Sequence, residues 1–141
     1  MISRIYVRSE KQGNKADSYL IDSKLGKNDI EKLAKALTNP ILEKYYVNQD
    51  LPVGDFSNAV EIGYKPGVTD NIGHTVKEMA MDLLHLKKDS DFQVYTSKIF
   101  FYKGAKGEIE KIAETLYNPL IERAQIVPVK NKKIHLSIIA P

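Results

Sequence analysis

The sequence contains no cysteine and no tryptophan among its 141 residues. Without cysteine the chain cannot form disulfides, thiolate zinc sites or a cysteine nucleophile. No apolar run reaches the roughly 18–20 residues of a membrane-spanning helix. Charged residues, Arg4 and Arg8, stand where a secretory signal peptide has its apolar stretch. These absences are typical of a cytoplasmic protein without a membrane partner.

Excess charge of either sign is also small. The chain carries 21 Lys and Arg residues against 18 Asp and Glu residues, a net charge of +3. This excess is too small to indicate binding to nucleic acid or to an anionic membrane surface. Hydrophobic residues make up 43% of the chain and charged residues 28%, as in globular domains. The length suits one domain, or two small units packed together.

A segment of the chain recurs 79 positions later. Residues 30–44 read IEKLAKALTNPILEK and residues 109–123 read IEKIAETLYNPLIER, with eight of the 15 positions identical. Chance rarely gives such a match in a chain of this length, so the sequence predicts two related units. Both copies contain an Asn-Pro-x-x-Glu motif, formed by Asn39, Pro40 and Glu43 and by Asn118, Pro119 and Glu122.

Each copy of the repeat has the spacing of an amphipathic helix. Apolar residues stand at i, i+3, i+4 and i+7. Asn28 followed by Glu31 resembles a capping box at the start of the first helix. The Asn-Pro pair then ends the helix and starts a short turn, because a residue before proline avoids helical backbone angles. Extended runs follow at 45–47 and 125–127. In the first copy the apolar stripe is Ile30, Leu33, Ala34 and Leu37.

The second unit, residues 57–129, is a complete β-α-β-α-β pattern. An alternating strand at 59–64 ends at a Lys-Pro-Gly stretch. Thr69 or Asp70 can cap the helix that follows. A second extended run at 92–103 predicts one long strand or a bent one. The expected buried stripe of the first helix consists of Ile72, Val76, Met79 and Leu83.

The first unit, residues 1–50, has strand patterns at 5–8 and 19–21 but no helical pattern between them. We interpret it as a degenerate copy that has lost its first helix. Residues 51–56 are expected to form a linker, and residues 130–141 a strand or linker toward a following domain. This element order predicts an α+β fold of ferredoxin type. Two half units would form a pseudo-dimeric antiparallel sheet with helices packed on one face.

Two motifs of the second unit resemble a known family. One is the strand that runs into Lys65-Pro66-Gly67-Val68-Thr69-Asp70, and the other is the helix end at 116–122, LYNPLIE. Both are similar to the small PurS-type subunit of phosphoribosylformylglycinamidine synthase. The tandem arrangement over residues 1–129 resembles the amino-terminal region of the long single-chain form of that enzyme, where two fused units replace a subunit dimer. The first unit lacks the Lys-Pro-Gly stretch.

The resemblance implies an enzyme of de novo purine synthesis that converts formylglycinamide ribonucleotide, ATP and glutamine to the amidine. In this family the glutaminase uses a cysteine nucleophile, and the synthetase domain holds ATP and magnesium. Neither part corresponds to residues 1–141. The resemblance therefore implies a non-catalytic scaffolding domain without catalytic, cofactor or metal residues of its own. Its expected partners are the synthetase and glutaminase parts, which it positions for ammonia transfer.

The loop after the first strand of the second unit is the candidate site. Lys65, Pro66, Gly67, Thr69 and Asp70 are expected to form a surface that docks against another domain or holds a small ligand. The simpler alternative is that Asp70 only caps its helix.

Three other patterns give weaker chemical signals. Residues 103–107 are rich in glycine before a helix, which fits an anion-binding turn but also an ordinary tight turn. His74 and Glu78 stand at i and i+4 on one helix, yet no further metal ligand accompanies them. The aromatic run at 99–102 lacks the motif of RNA-binding domains of this shape. A free-standing ligand-binding or regulatory module and an RNA-binding module stay as alternative functions.

Overall fold

The computed structural model describes residues 2–9, 11, 13–87 and 91–136. This part of the chain contains three helices and eight strands. The helices are α1 Lys27–Leu37, α2 Asn71–Leu83 and α3 Lys106–Leu116. The strands are β1 Ile2–Ser9, β2 Lys15–Asp22, β3 Glu43–Val47, β4 Leu51–Pro52, β5 Asn58–Tyr64, β6 Gln93–Tyr102, β7 Glu122–Pro128 and β8 Lys133–Ile134.

Six strands form one antiparallel sheet in the order β3-β1-β2-β6-β5-β7. The first three strands in this order come from the first half of the chain, and the last three come from the second half. The halves join through β2 and β6, where Ser18 lies opposite Ser97. These two serines are 79 positions apart, the offset of the sequence repeat. The predicted α+β class with an antiparallel sheet is confirmed.

All three helices pack on the same face of this sheet. Helix α1 buries its apolar stripe against β1 and β2, and α2 contributes to the same cluster. Helix α3 packs on β5 in a second cluster. Each fully buried Leu or Ile side chain contributes about 1.5–3 kcal/mol, so these stripes hold the helices on the sheet. The buried helix residues are Ile30, Leu33 and Ala34 of α1, Gly73, Val76 and Ala80 of α2, and Ile109 and Ala113 of α3.

A two-stranded ribbon covers part of the opposite face. It pairs β4, from the predicted linker at 51–56, with β8, from the predicted tail at 130–141. Leu51 and Val53 are buried there with Ile134 and Leu136, against Phe101 of the sheet. The segment that connects the two halves therefore packs on the sheet, as does the described part of the tail. Residues 137–141 of the tail lie outside the described residues.

The two Asn-Pro-x-x-Glu motifs form the same hydrogen-bonded turn. The backbone N–H of Asn39 donates to Glu43 Oε1 at 2.9 Å, and that of Asn118 donates to Glu122 Oε1 at 2.8 Å. The side-chain oxygen of each asparagine accepts a bond from the N–H two residues later, at 3.0 Å in both copies. Helices α1 and α3, which precede the turns, have equal lengths and the same 79-residue offset. The predicted helix ends and turns are confirmed.

Two predicted details of the helices are wrong. Helix α1 begins at Lys27 after Gly26, which has no side-chain cap, so Asn28 lies inside the first turn and forms no capping box with Glu31. In α2, Ile72 is 47% exposed instead of buried. The buried face of α2 contains the next residue, Gly73, instead. Consecutive helix residues point about 100° apart, so Ile72 is turned toward solvent.

The equivalence of the two turns leads to a stability prediction. Replacing either asparagine by alanine should lower the free energy of unfolding by about 1 kcal/mol, the usual effect of losing a cap. The turns adjoin β3 and β7, the opposite edges of the sheet. The double variant Asn39→Ala/Asn118→Ala should therefore lose about 2 kcal/mol, because distant sites act additively. Urea denaturation measures all three values, and a loss confined to one turn would contradict the equivalence.

Candidate functional site

A crevice opens beside β6, where β5 ends and the chain enters the loop of residues 65–70. Strand β6 pairs with β5 only from Ser97 onward, whereas residues 93–96 pair with β2 alone. The loop and the start of α2 lie along this side of β6. The crevice has a volume of about 370 Å³. Its acidic and basic lining residues are Arg4, Glu61, Lys65, Asp70, His74, Lys77 and Arg123.

Asp70 caps α2 and also ties it to the sheet. Its Oδ1 accepts a 2.8 Å bond from the backbone N–H of Gly73, so the predicted cap is confirmed. Its Oδ2 accepts a 2.6 Å bond from the backbone N–H of Thr96, which β5 does not reach. The Thr96 hydroxyl donates to the same carboxylate at 2.9 Å. This one carboxylate therefore joins the start of α2 to β6.

Helix α2 approaches β6 closely at Gly73. A Cβ at this position would lie 2.5 Å from the carbonyl oxygen of Val94 and 3.0 Å from Cγ of Asp70. A side chain would force the helix away from the strand, so the close approach requires glycine. Gly73 thus permits the short hydrogen bonds between Asp70 and Thr96.

The loop of residues 65–70 turns at its Pro-Gly pair. Val68 donates its N–H to the Lys65 carbonyl at 3.1 Å, and Gly67 has a φ of +84°. These are features of a type II turn, in which glycine takes the position with positive φ. The predicted docking loop is accessible to solvent over most of its length. Its exposed residues are Lys65, Pro66, Gly67 and Thr69, and Asp70 is half-buried.

The structure brings this loop together with the second Asn-Pro turn. The Lys65 N–H donates to the Ile121 carbonyl at 2.9 Å. Leu120 and Ile121 are 82% and 42% exposed, so apolar side chains lie beside the loop. The first Asn-Pro turn lies at the other edge of the sheet, and its Ile41 and Leu42 are 85% and 46% exposed. Two matched apolar turns therefore face solvent at opposite edges of the sheet.

A buried ion pair forms the floor of the crevice, on the sheet face opposite the helices. Arg4 Nη1 lies 3.2 Å from Glu61 Oε2, and the two side chains are only 6% and 7% exposed. Arg4 also donates to Ser18 Oγ, and the Ser97 hydroxyl donates to Glu61, both at 2.6 Å. Gln125 Nε2 donates to the second Glu61 oxygen at 2.6 Å. The network links strands of the first half to strands of the second.

Sequence patterns do not identify Arg4 or Glu61 as site residues. One signal was available in Glu61, a charged residue in the middle of an apolar strand, because charged side chains are almost never buried unless paired. Its partner Arg4 is 57 positions away, so no local pattern indicates the pair.

Arg123 reaches the crevice from the edge strand β7. It lies opposite Gly63 in the register of β5 and β7, and its Nη2 is 4.0 Å from the position of a Gly63 Cβ. A glycine inside a strand permits another group to approach the backbone closely. The guanidinium therefore lies over β5 at the side of the crevice.

The remaining sequence patterns lie on α2, on β6 and at the start of α3. Within residues 2–9, 11, 13–87 and 91–136, no group of three or more His, Asp or Glu side chains could hold a metal ion. His74 and Glu78 are exposed on α2. Residues 103–105 form the turn into α3, where the Gly104 N–H donates to Ser57 Oγ at 3.0 Å, and residues 106–107 are the first of the helix. None of the helices in the described part of the chain is long and apolar enough to cross a membrane.

Comparison with family models, with curated proteins and with solved structures finds no match to this chain. The residues and the geometry of the chain itself are therefore the guide to its function.

Proposed function

We propose that this chain is the amino-terminal PurS-like domain of a cytoplasmic phosphoribosylformylglycinamidine synthase. Its role is to hold the synthetase and glutaminase parts in position, so that ammonia passes from one to the other. The observation that carries the proposal is the 2.9 Å hydrogen bond between Lys65 and Ile121. It joins the Lys-Pro-Gly loop to the Asn-Pro turn, so the two motifs that resemble the family form one continuous surface.

The strand order supports a pseudo-dimer of two half units. The strand order is β3-β1-β2-β6-β5-β7. Read from the other end, it places β7, β5 and β6 where β3, β1 and β2 stood, so each strand changes places with its counterpart in the other half. Ser18 and Ser97, which are equivalent in the repeat, lie opposite each other at the centre. The first half has the element order β1-β2-α1-β3, and the second half has β5-α2-β6-α3-β7. We infer that the first half is a degenerate copy that lacks the counterpart of α2.

A scaffold that joins two other parts needs two surfaces. The two Asn-Pro turns present matched pairs of exposed apolar side chains at opposite edges of the sheet, Ile41 with Leu42 and Leu120 with Ile121. Exposed apolar side chains of this kind mark protein interaction sites when they cluster. The second pair adjoins the exposed loop at Lys65, Pro66 and Gly67, which extends that docking surface.

The proposal predicts that the two nitrogen sources respond differently to loss of the domain. Deleting residues 1–141 from the full-length synthase should reduce glutamine-dependent amidine formation more than ammonium-driven formation. Ammonia released at one site must be held close to the second site, and positioning of this kind is a large part of catalytic rate. The measurement is a side-by-side rate assay with glutamine and with ammonium salt.

Point variants make the same test without removing the domain. Lys65→Ala and Leu120→Ala should show a weaker form of the same selective loss, whereas Lys111→Ala, on the exposed side of α3, should not. An equal loss with both nitrogen sources would mean that the domain only supports the synthetase fold. Full glutamine-dependent activity after the deletion would eliminate the scaffolding role.

The crevice beside β6 favours a second candidate function, a free-standing ferredoxin-like module that binds a small ligand or regulates a partner. Its volume of about 370 Å³ lies within the range of small-molecule sites. The two candidates are distinguished by the amidotransferase assay, because a free-standing module has no effect on glutamine-dependent amidine formation.

A further inference from the structure

The crevice beside β6 has an uneven balance of charge. Its lining contains four cationic side chains, two carboxylates and one histidine. Both carboxylates are already occupied within the chain. Glu61 accepts bonds from Arg4, Ser97 and Gln125, and Asp70 accepts bonds from Gly73 and Thr96. Arg4 therefore neutralises Glu61, whereas the charge of Asp70 is stabilised by hydrogen bonds from neutral groups.

Two of the cations, Lys65 and Lys77, do not compensate a carboxylate of the crevice. Within the described residues, no carboxylate forms an ion pair with Lys65 or Lys77. Lys65 is in the exposed loop on one side of the crevice, and Lys77 is half-buried on α2. Uncompensated cations around a concave site raise the local concentration of anions.

Arg123 adds a cation whose position is set by the sheet. Its guanidinium lies over Gly63, on the side of the crevice formed by β5 and β7. Lys65 and Ile121 are joined by a backbone hydrogen bond, so the loop and the start of β7 are held together. Cations therefore border the crevice from the loop, from α2 and from β7. A guanidinium binds phosphate oxygens in a bidentate manner, which the ammonium groups of lysine cannot do.

The geometry points to a binding site for a small phosphate-bearing anion in this crevice, held by Arg123, Lys65 and Lys77. A volume of about 370 Å³ accommodates a phosphate group together with a small organic body. Tyr64 and Tyr95 also line the crevice and offer apolar ring surface to such a body. This site does not depend on the scaffolding role, because all of its lining residues belong to this chain.

The test is a titration of the ¹⁵N-labelled chain with inorganic phosphate, glucose 6-phosphate and AMP, at constant ionic strength. We expect saturable shifts of the amide signals of Gly63, Gly67 and Gly73, with a dissociation constant on the order of 1 mM or lower. Tighter binding of an organic phosphate than of inorganic phosphate would show that the body of the ligand also contacts the crevice. The absence of saturable shifts with all three probes overturns the site.

Charge variants locate the binding. Lys65→Gln and Arg123→Gln should each weaken binding about tenfold, the effect of one lost charge-assisted hydrogen bond. Lys111→Gln, a matched change on the exposed side of α3, should bind like the unchanged chain. Far-UV circular dichroism checks that Arg123→Gln folds, and Lys65→Gln tests the site from an exposed loop. Unchanged affinity in both crevice variants, or equal weakening in Lys111→Gln, would show only diffuse charge attraction.

Discussion

Replacing Glu61 by leucine is expected to lower the free energy of unfolding by about 3–5 kcal/mol, because the guanidinium of Arg4 then stays buried without this carboxylate. The Glu61 side chain is 7% exposed and accepts bonds from three side chains, so water cannot easily replace it. Urea denaturation gives the change in free energy. The exposed ion pair between Lys103 and Asp55 provides the control, and Asp55→Ala should leave the urea midpoint unchanged.

A double variant separates the pair from its surroundings. Arg4→Leu/Glu61→Leu removes both charges, and replacing a whole buried ion pair by apolar side chains is often close to neutral. We therefore expect the double variant to be more stable than Glu61→Leu alone. A double variant that loses as much as the two single variants combined would show that the two charges are not coupled.

The position of this ion pair bears on how the two halves recognise each other. Arg4 contacts Ser18 in the first half, and Glu61 contacts Ser97 in the second half. The two serines lie opposite each other and are 79 positions apart, so in the proposed pseudo-dimer the two charged residues occupy corresponding places around the centre of the sheet. Pairing of two identical halves would place like charges together, which costs free energy. A single chain with two different halves can instead place opposite charges there.

The sequence predicted the structural elements that depend on interactions between residues close together in the chain. The Asn-Pro motif determines where α1 and α3 end, because proline restricts the preceding residue and asparagine caps the turn. The apolar stripe at Ile30, Leu33 and Ala34 likewise predicts the buried face of α1, which is confirmed. These features depend on neighbours within a few residues, so a short window of sequence contains the information.

Features that depend on distant contacts could not be predicted in the same way. Pro52 separates Leu51 from Val53, and Gly54 follows. A stretch with proline and glycine is typical of a linker. Leu51 and Val53 are buried because they pack with Ile134 and Leu136, near the other end of the chain, and with Phe101 of the sheet. The predicted loop at 65–70 includes Asp70, but its contact with Thr96 requires β6 to extend beyond β5. The sequence therefore indicates part of the crevice and none of its floor.

A glycine inside a helix was a local signal for the close contact between α2 and β6. Glycine costs about 1 kcal/mol relative to alanine in a helix, and a role in packing offsets this cost at Gly73 but not at Gly107 of α3. That role is the close approach of helix and strand, because a Cβ at Gly73 would lie only 2.5 Å from the Val94 carbonyl oxygen. No side chain fits in that space.

Gly73→Ala should therefore destabilise the chain by about 2–3 kcal/mol, despite the better helix propensity of alanine. The added methyl group must displace the start of α2 from β6, which stretches the hydrogen bonds from Asp70 to Thr96. Gly107→Ala in α3 is the matched control, since no atom lies within 4 Å of its Cβ position. That variant should gain about 0.4–1 kcal/mol from reduced freedom of the unfolded chain.

Two measurements decide the outcome. Urea denaturation compares the stabilities of the two variants, and the amide signal of Thr96 reports its bond to the Asp70 carboxylate. We expect the Thr96 signal to shift in Gly73→Ala and to stay unchanged in Gly107→Ala. If Gly73→Ala gains stability as Gly107→Ala does, α2 can move away from β6 without cost. The close approach would then not be what holds the loop of residues 65–70 and the crevice in place.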